Sequence, residues 1–137
     1  MNQKIKKEKI IIIDFGSQFT KLIARRIREY KVFSEILTPK YLKKKNIFKN
    51  VKGIILSGGP STVIGNKIQN IHKEIFNLNI PILGVCYGMQ LIVKYFKGKV
   101  KKNIKKREFG RALLSESKKS LLTEGFFLKN KREVWMS

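Results

Sequence analysis

Residues 9 to 14 read KIIIID, four isoleucines in succession with a charge at either end. So short and unbroken a run of β-branched residues suits a strand covered on both faces, because a strand with one wet face would alternate. The next stretch, SQFTKLIARRIREY (17–30), changes rhythm. Phe19, Leu22, Ile23 and Ile27 share one stripe while Lys21, Arg25 and Arg28 fall elsewhere, which predicts an amphipathic helix with Ser17 as a candidate N-cap. VFSEIL (32–37), VKGIILSG (51–58) and IPILGV (80–85) then read as strands, and NKIQNIHKEIFNL (66–78) and Gly88 to Phe96 as helices. This alternation with short links predicts an α/β fold, a mostly parallel sheet with helices on both faces. Right-handed crossovers bring the loops that follow the strands to one rim, so functional groups are expected after residues 14, 57 and 85. Beyond Gly98 the helical pattern fades, and KGKVKK, EFGRALLSE and REVWMS suggest shorter strands joined by turns.

A length of 137 residues suits one domain with a modest core. The longest uncharged apolar run, IPILGVCYGMQLIV (80–93), is too short and too interrupted by glycine to span a bilayer, and the N-terminus lacks a secretory pattern, so a soluble protein is expected. A single cysteine cannot form an internal disulfide or a multi-thiolate metal site, which fits a reducing cytoplasm. The net charge of +22 would ordinarily point to a nucleic-acid or anionic-membrane partner. However, 25 of the 31 basic residues are lysine, with isoleucine and asparagine also abundant, as A+T-rich codons would supply. The basic runs KIKKEK, KKK and KVKKNIKKR also lack the interleaved aromatics of a strand-binding groove. Neither a nucleic acid nor a membrane is therefore expected as the partner.

The one cysteine lies at Gly84-Val85-Cys86-Tyr87-Gly88, a G-x-C-x-G pattern where a strand gives way to a helix. Free cysteines are most often plain core residues. Here the spacing is that of a nucleophile elbow, in which a tight turn strains the backbone and the flanking glycines let neighbouring chain approach without a Cβ clash. The positive end of the following helix would favour thiolate. LSGGPST (56–62) follows the neighbouring strand, and a backbone N–H from its paired glycines together with that of Tyr87 would form two oxyanion donors. Such a pair points to acyl transfer through a thioester.

GVCYGMQ with LSGGP resembles the class I glutamine amidotransferases, and IIIDFGSQFTKLIARRIRE followed by VFSEILTP resembles the start of the glutamine-hydrolysing GMP synthases. REFGRA and VWMS fit the same group, so the resemblance runs from about Lys9 to Ser137. It implies a flavodoxin-like amidotransferase fold whose C-terminal part is missing, with residues 1–137 forming an incomplete amidotransferase domain. It further implies that Cys86 attacks the side-chain amide of glutamine, with the backbone N–H groups of Gly59 and Tyr87 as the oxyanion hole and Gln90 helping to hold the substrate. The ammonia would pass to an ATP-pyrophosphatase (synthetase) domain or subunit that uses ATP and Mg²⁺ to convert xanthosine monophosphate to GMP. No SGGVDS-type loop occurs here, so that domain is expected to be absent, and no cofactor is expected for this chain itself.

The resemblance also implies a catalytic histidine and glutamate in an H-P-E motif well after the nucleophile, and the only histidine here is His72. Inside the helix predicted for 66–78 it would stand away from the rim, out of reach of the thiol. The isolated chain is therefore expected to be inactive unless those groups are supplied. The alternative is a non-catalytic remnant working as a binding module through its basic surface. Asp14 reads as either a turn former or a ligand contact, Arg107 and Glu108 as a rim loop or a paired strand edge, and Trp135 as core or a domain contact.

Overall fold

A computed structural model describes residues 8–43, 46–64, 71–101 and 109–136. The chain divides into two compact units, Met1–Lys101 and Lys102–Ser137. The first is built on a four-stranded parallel sheet of β1 (Lys9–Ile13), β2 (Phe33–Leu37), β3 (Val51–Leu56) and β4 (Ile82–Gly84), ordered β2-β1-β3-β4. Helix α1 (Thr20–Glu29) joins β1 to β2, and α2 (Tyr87–Tyr95) follows β4. Right-handed crossovers that leave β1 toward β2, and β3 toward β4, run in opposite directions across the sheet and so cover opposite faces. Ile11, Ile12 and Ile13 are all fully buried, as an unalternating strand in such a sheet requires. Ile11 and Ile13 join Ile54, Leu56, Tyr87 and Leu91 in the main cluster, and alternation turns Ile12 to the other face. These elements bear out the α/β parallel-sheet reading.

Helix α1 starts two residues later than a Ser17 cap would place it. The Asp14 carboxylate captures the chain first: its Oδ1 accepts hydrogen bonds from Gly16 N–H at 2.9 Å, Ser17 N–H at 3.3 Å and the Thr20 hydroxyl at 2.8 Å. Gly16 has φ of +95°, a conformation that favours glycine, and Ser17 Oγ accepts the N–H of Phe19 at 3.1 Å. The turn-forming reading of Asp14 is thus the observed one. The stripe that α1 turns inward is also shifted. Thr20 and Ala24 are buried, Ile23 and Ile27 half-buried, while Phe19 and Leu22 are exposed. Small side chains allow the close approach, since the buried Ser34 hydroxyl of β2 donates to the Ala24 carbonyl at 3.1 Å and accepts from Arg28 Nε at 3.0 Å.

The helix predicted over 66–78 lies partly outside the described residues, and its described part is a single 3₁₀ turn, Lys73–Asn77. Ile75 at its centre is fully buried, and Asn79 with φ of +53° followed by Pro81 ends any helix beyond it. KGKVKK forms no strand among its described residues. In the second unit β5 (Gly110–Ser115) and β6 (Lys131–Met136) pair antiparallel, as EFGRALLSE and REVWMS suggested. Trp135 there is 77% exposed opposite Arg111, so the core reading of that residue does not hold. Arg107 and Glu108 lie outside the described residues. Among the described residues no helix is long and apolar enough to cross a membrane.

Candidate active site

Strand register brings three loops together. Ile13 at the end of β1 pairs with Leu56 at the end of β3, and Leu56 pairs with Gly84 at the end of β4, so the segments that follow leave the sheet side by side. These are the loops expected after residues 14, 57 and 85. They enclose a cavity of about 380 Å³ lined by residues 16–19, 58–60 and Cys86. A larger cavity of about 560 Å³ lies within the second unit, lined by neither cysteine nor histidine.

Cys86 is exposed, and its backbone sits at φ +48° and ψ −107° on the N-cap position of α2. A non-glycine residue held there costs on the order of 1–3 kcal/mol, which the surrounding chain must offset. The flanking glycines allow it. A Cβ on Gly88 would stand 2.1 Å from the Leu56 carbonyl oxygen, and one on Gly84 would stand 2.6 Å from the backbone of Met89. Hydrogen bonds then fix the turn to β3: Val85 N–H donates to the Leu56 carbonyl at 2.9 Å and Gly88 N–H to the Ser57 carbonyl at 3.1 Å. The elbow reading of the pattern holds, and the thiol is not a core residue.

The glycine loop is locked to the β1 loop through Ser57, which the sequence reading passed over. Its fully buried hydroxyl accepts the Phe15 N–H at 3.2 Å and donates to the Gly58 carbonyl at 2.9 Å. The signal available was a hydroxyl residue directly after a buried strand and before two glycines. A Cβ on Gly59 would lie 2.6 Å from the Phe15 carbonyl oxygen, so the loop packs this closely only because position 59 is glycine. A Cβ on Gly58 would instead meet Cys86 Cβ at 3.4 Å and Ser17 Oγ at 3.5 Å, ordinary contact distances. Tyr87 is buried with its ring edge against Phe15, centroids 5.3 Å apart.

Gly59 and Cys86 therefore line one cavity, with Tyr87 directly following the cysteine. Gln90 does not line it. Its Oε1 accepts hydrogen bonds from the Thr62 hydroxyl and the Val63 N–H, both at 3.2 Å, and so ties α2 to the end of the glycine loop. His72 precedes the 3₁₀ turn rather than lying inside a helix. Its Nδ1 is 3.4 Å from Glu74 Oε2, and it lines a separate cavity with Pro39 and Lys43. Among the described residues no group of three or more His, Cys, Asp or Glu side chains is arranged to hold a metal ion.

Comparison with known proteins gives a consistent result. Residues 11–137 match the family model described as glutamine amidotransferase class-I. A protein from Prochlorococcus marinus named GMP synthase [glutamine-hydrolyzing] is 48% identical over 137 residues, covering 97% of this chain and 25% of the relative. One of the same name from Helicobacter pylori is 46% identical over 129 residues, covering 93% and 25%. This chain thus spans about a quarter of the length of the curated relatives it matches. The solved structure of a Thermoplasma acidophilum protein, assigned as one subunit of a GMP synthase, superimposes with a TM-score of 0.74 at 28% identity, covering 94% of this chain and 63% of that one. With the exposed cysteine elbow facing a glycine loop at the rim of a parallel sheet, these matches show that the chain belongs to the class I glutamine amidotransferase family.

Proposed function

We propose that this chain carries the glutamine-binding and nucleophilic half of a glutaminase that supplies ammonia for GMP synthesis. The observation that supports this most directly is the exposed Cys86 held at φ +48° over a cavity it shares with Gly59. In the proposed reaction the Cys86 thiolate attacks the side-chain amide carbon of glutamine and forms an S–C bond. The carbonyl oxygen becomes an oxyanion facing the N–H groups of Gly59 and Tyr87. The C–N bond then breaks and ammonia leaves with a proton. Water next cleaves the thioester to give glutamate and regenerate the thiol. Gln90 acts indirectly in this scheme, by fixing residues 62 and 63 of the loop that forms the cavity wall.

A base must take the thiol proton and deliver one to the leaving ammonia. His72 lines a different cavity, and no other histidine occurs in these 137 residues, so the base and its orienting carboxylate are proposed to come from outside them. The ATP- and Mg²⁺-dependent conversion of xanthosine monophosphate to GMP is likewise proposed for a synthetase domain or subunit, and no residue here is assigned to it. The test is ammonia release from glutamine by this chain, by a chimera carrying the downstream H-P-E segment of a complete relative, and by that chimera with Cys86→Ala. Activity confined to the unsubstituted chimera is the expected result. A folded chimera that releases no ammonia, or one indifferent to Cys86→Ala, would count against the proposal. The first of these results would favour the second reading, a non-catalytic binding module acting through the basic surface of a +22 chain.

A further inference from the structure

The β1 loop contributes a side chain to the candidate site that no motif assigned. Ser17 lines the Cys86 cavity, and its Oγ lies 3.5 Å from the point a Cβ on Gly58 would occupy, a point that Cys86 Cβ approaches to 3.4 Å from its own side. Hydroxyl and cysteine therefore flank the same small space. The loop that carries Ser17 is fixed by Asp14, whose Oδ1 takes three hydrogen bonds from residues 16, 17 and 20. Within it Ser17 Oγ serves as an acceptor for Phe19 N–H, which leaves the hydroxyl proton to turn toward the cavity. Gly58 holds the space open, because any larger residue there would put its side chain between the two groups.

The geometry points to Ser17 as a substrate-binding residue of this site, its hydroxyl donating a hydrogen bond to the carboxamide oxygen of glutamine beside the attacking sulfur. The inference rests on the glutaminase reading above and adds a side-chain donor from β1 to the two backbone donors. A hydroxyl that lines the same cavity as Cys86 and flanks Gly58 with it serves the reacting end of the substrate rather than its amino-acid end.

The test uses the chain as it stands and measures alkylation of Cys86 rather than turnover. The chloroketone analogue of glutamine places a ketone oxygen where the carboxamide oxygen sits. The thiolate forms an S–C bond at its chloromethyl carbon and chloride leaves, whereas 2-bromoethylamine, which has no oxygen to accept a hydrogen bond, is attacked with loss of bromide and reports thiol access and reactivity alone. The ratio of the two second-order rates, each normalised to the same reagents acting on a free thiol, isolates recognition. In the parent chain the normalised ratio should exceed one. Ser17→Ala should lower it roughly three- to tenfold, the loss of one hydrogen bond, with the bromoethylamine rate unchanged. Ser17→Thr, which keeps the hydroxyl, should restore most of it. A Ser17→Ala ratio equal to the parent's would overturn the assignment. So would an equal fall in both rates, since that is what a merely loosened β1 turn produces. A parent ratio of one sinks the glutamine reading and this inference together, whereas a high parent ratio insensitive to Ser17 sinks only the inference.

Discussion

Gly88→Ala tests the close contact on which the elbow depends. The new methyl would stand 2.1 Å from the Leu56 carbonyl oxygen, where ordinary contact begins near 3.4 Å, so α2 would have to retreat from β3 by about 1.3 Å. The hydrogen bond from Gly88 N–H to the Ser57 carbonyl, now 3.1 Å, would not survive a shift of that size. The edge contact of the buried Tyr87 ring with Phe15 opposes the same movement. Overpacking costs about 1–3 kcal/mol and the lost bond about 1, against at most about 1 gained from alanine's helix propensity. The net is a loss of about 1–3 kcal/mol out of a stability on the order of 5–15. Urea unfolding should show it as a midpoint lower by about 0.7–2 M for a slope of ~1.5 kcal/mol per M. Gly58→Ala is the internal control, because its methyl meets nothing closer than 3.4 Å and should shift stability by no more than about 0.5 kcal/mol. A Gly88→Ala midpoint at or above the parent's would refute the reasoning, since it would mean that the strand and helix are not packed as tightly as that contact requires.

Asp14→Ala removes the acceptor of three hydrogen bonds in the β1 loop and should cost about 1–3 kcal/mol, while Asp14→Asn keeps an acceptor oxygen and should lose less than half as much; equal losses in urea midpoints would contradict the loop account. His72→Ala should leave the iodoacetamide rate of Cys86 within about twofold of the parent, and a larger fall would mean that the two cavities communicate. Binding to a labelled single-stranded DNA should be weak, indifferent to sequence and steeply reduced between low and moderate salt, because only counterion release supports it; tight binding that survives moderate salt would assign the +22 charge a specific partner.

The sequence alone was enough to determine the parallel α/β architecture, because an unalternating KIIIID run can be satisfied only by covering both faces of its strand. It also located the rim loops and the elbow. The spacing of Gly84 and Gly88 about Cys86 is a steric requirement that shows in the residue types themselves. Other features depended on contacts between residues distant in the chain. Ser57 became the link between two loops only when β1 and β3 came into register, and Gln90 Oε1 met Thr62 and Val63 only when α2 docked beside the glycine loop. Helix α1 began at Thr20 because residues 14–20 closed first into a turn about the Asp14 carboxylate, which accepts from the Gly16 and Ser17 N–H groups and the Thr20 hydroxyl, a local alternative to helix that propensity does not resolve. The described part of the segment before β4 is a 3₁₀ turn that buries Ile75 in the core and stops at Asn79, whose positive φ the apolar pattern does not record. Periodicity records which face of an element is apolar. Which side chains meet across the rim is decided by strand register and by packing distances of a few tenths of an ångström, and these exist only once the sheet has formed.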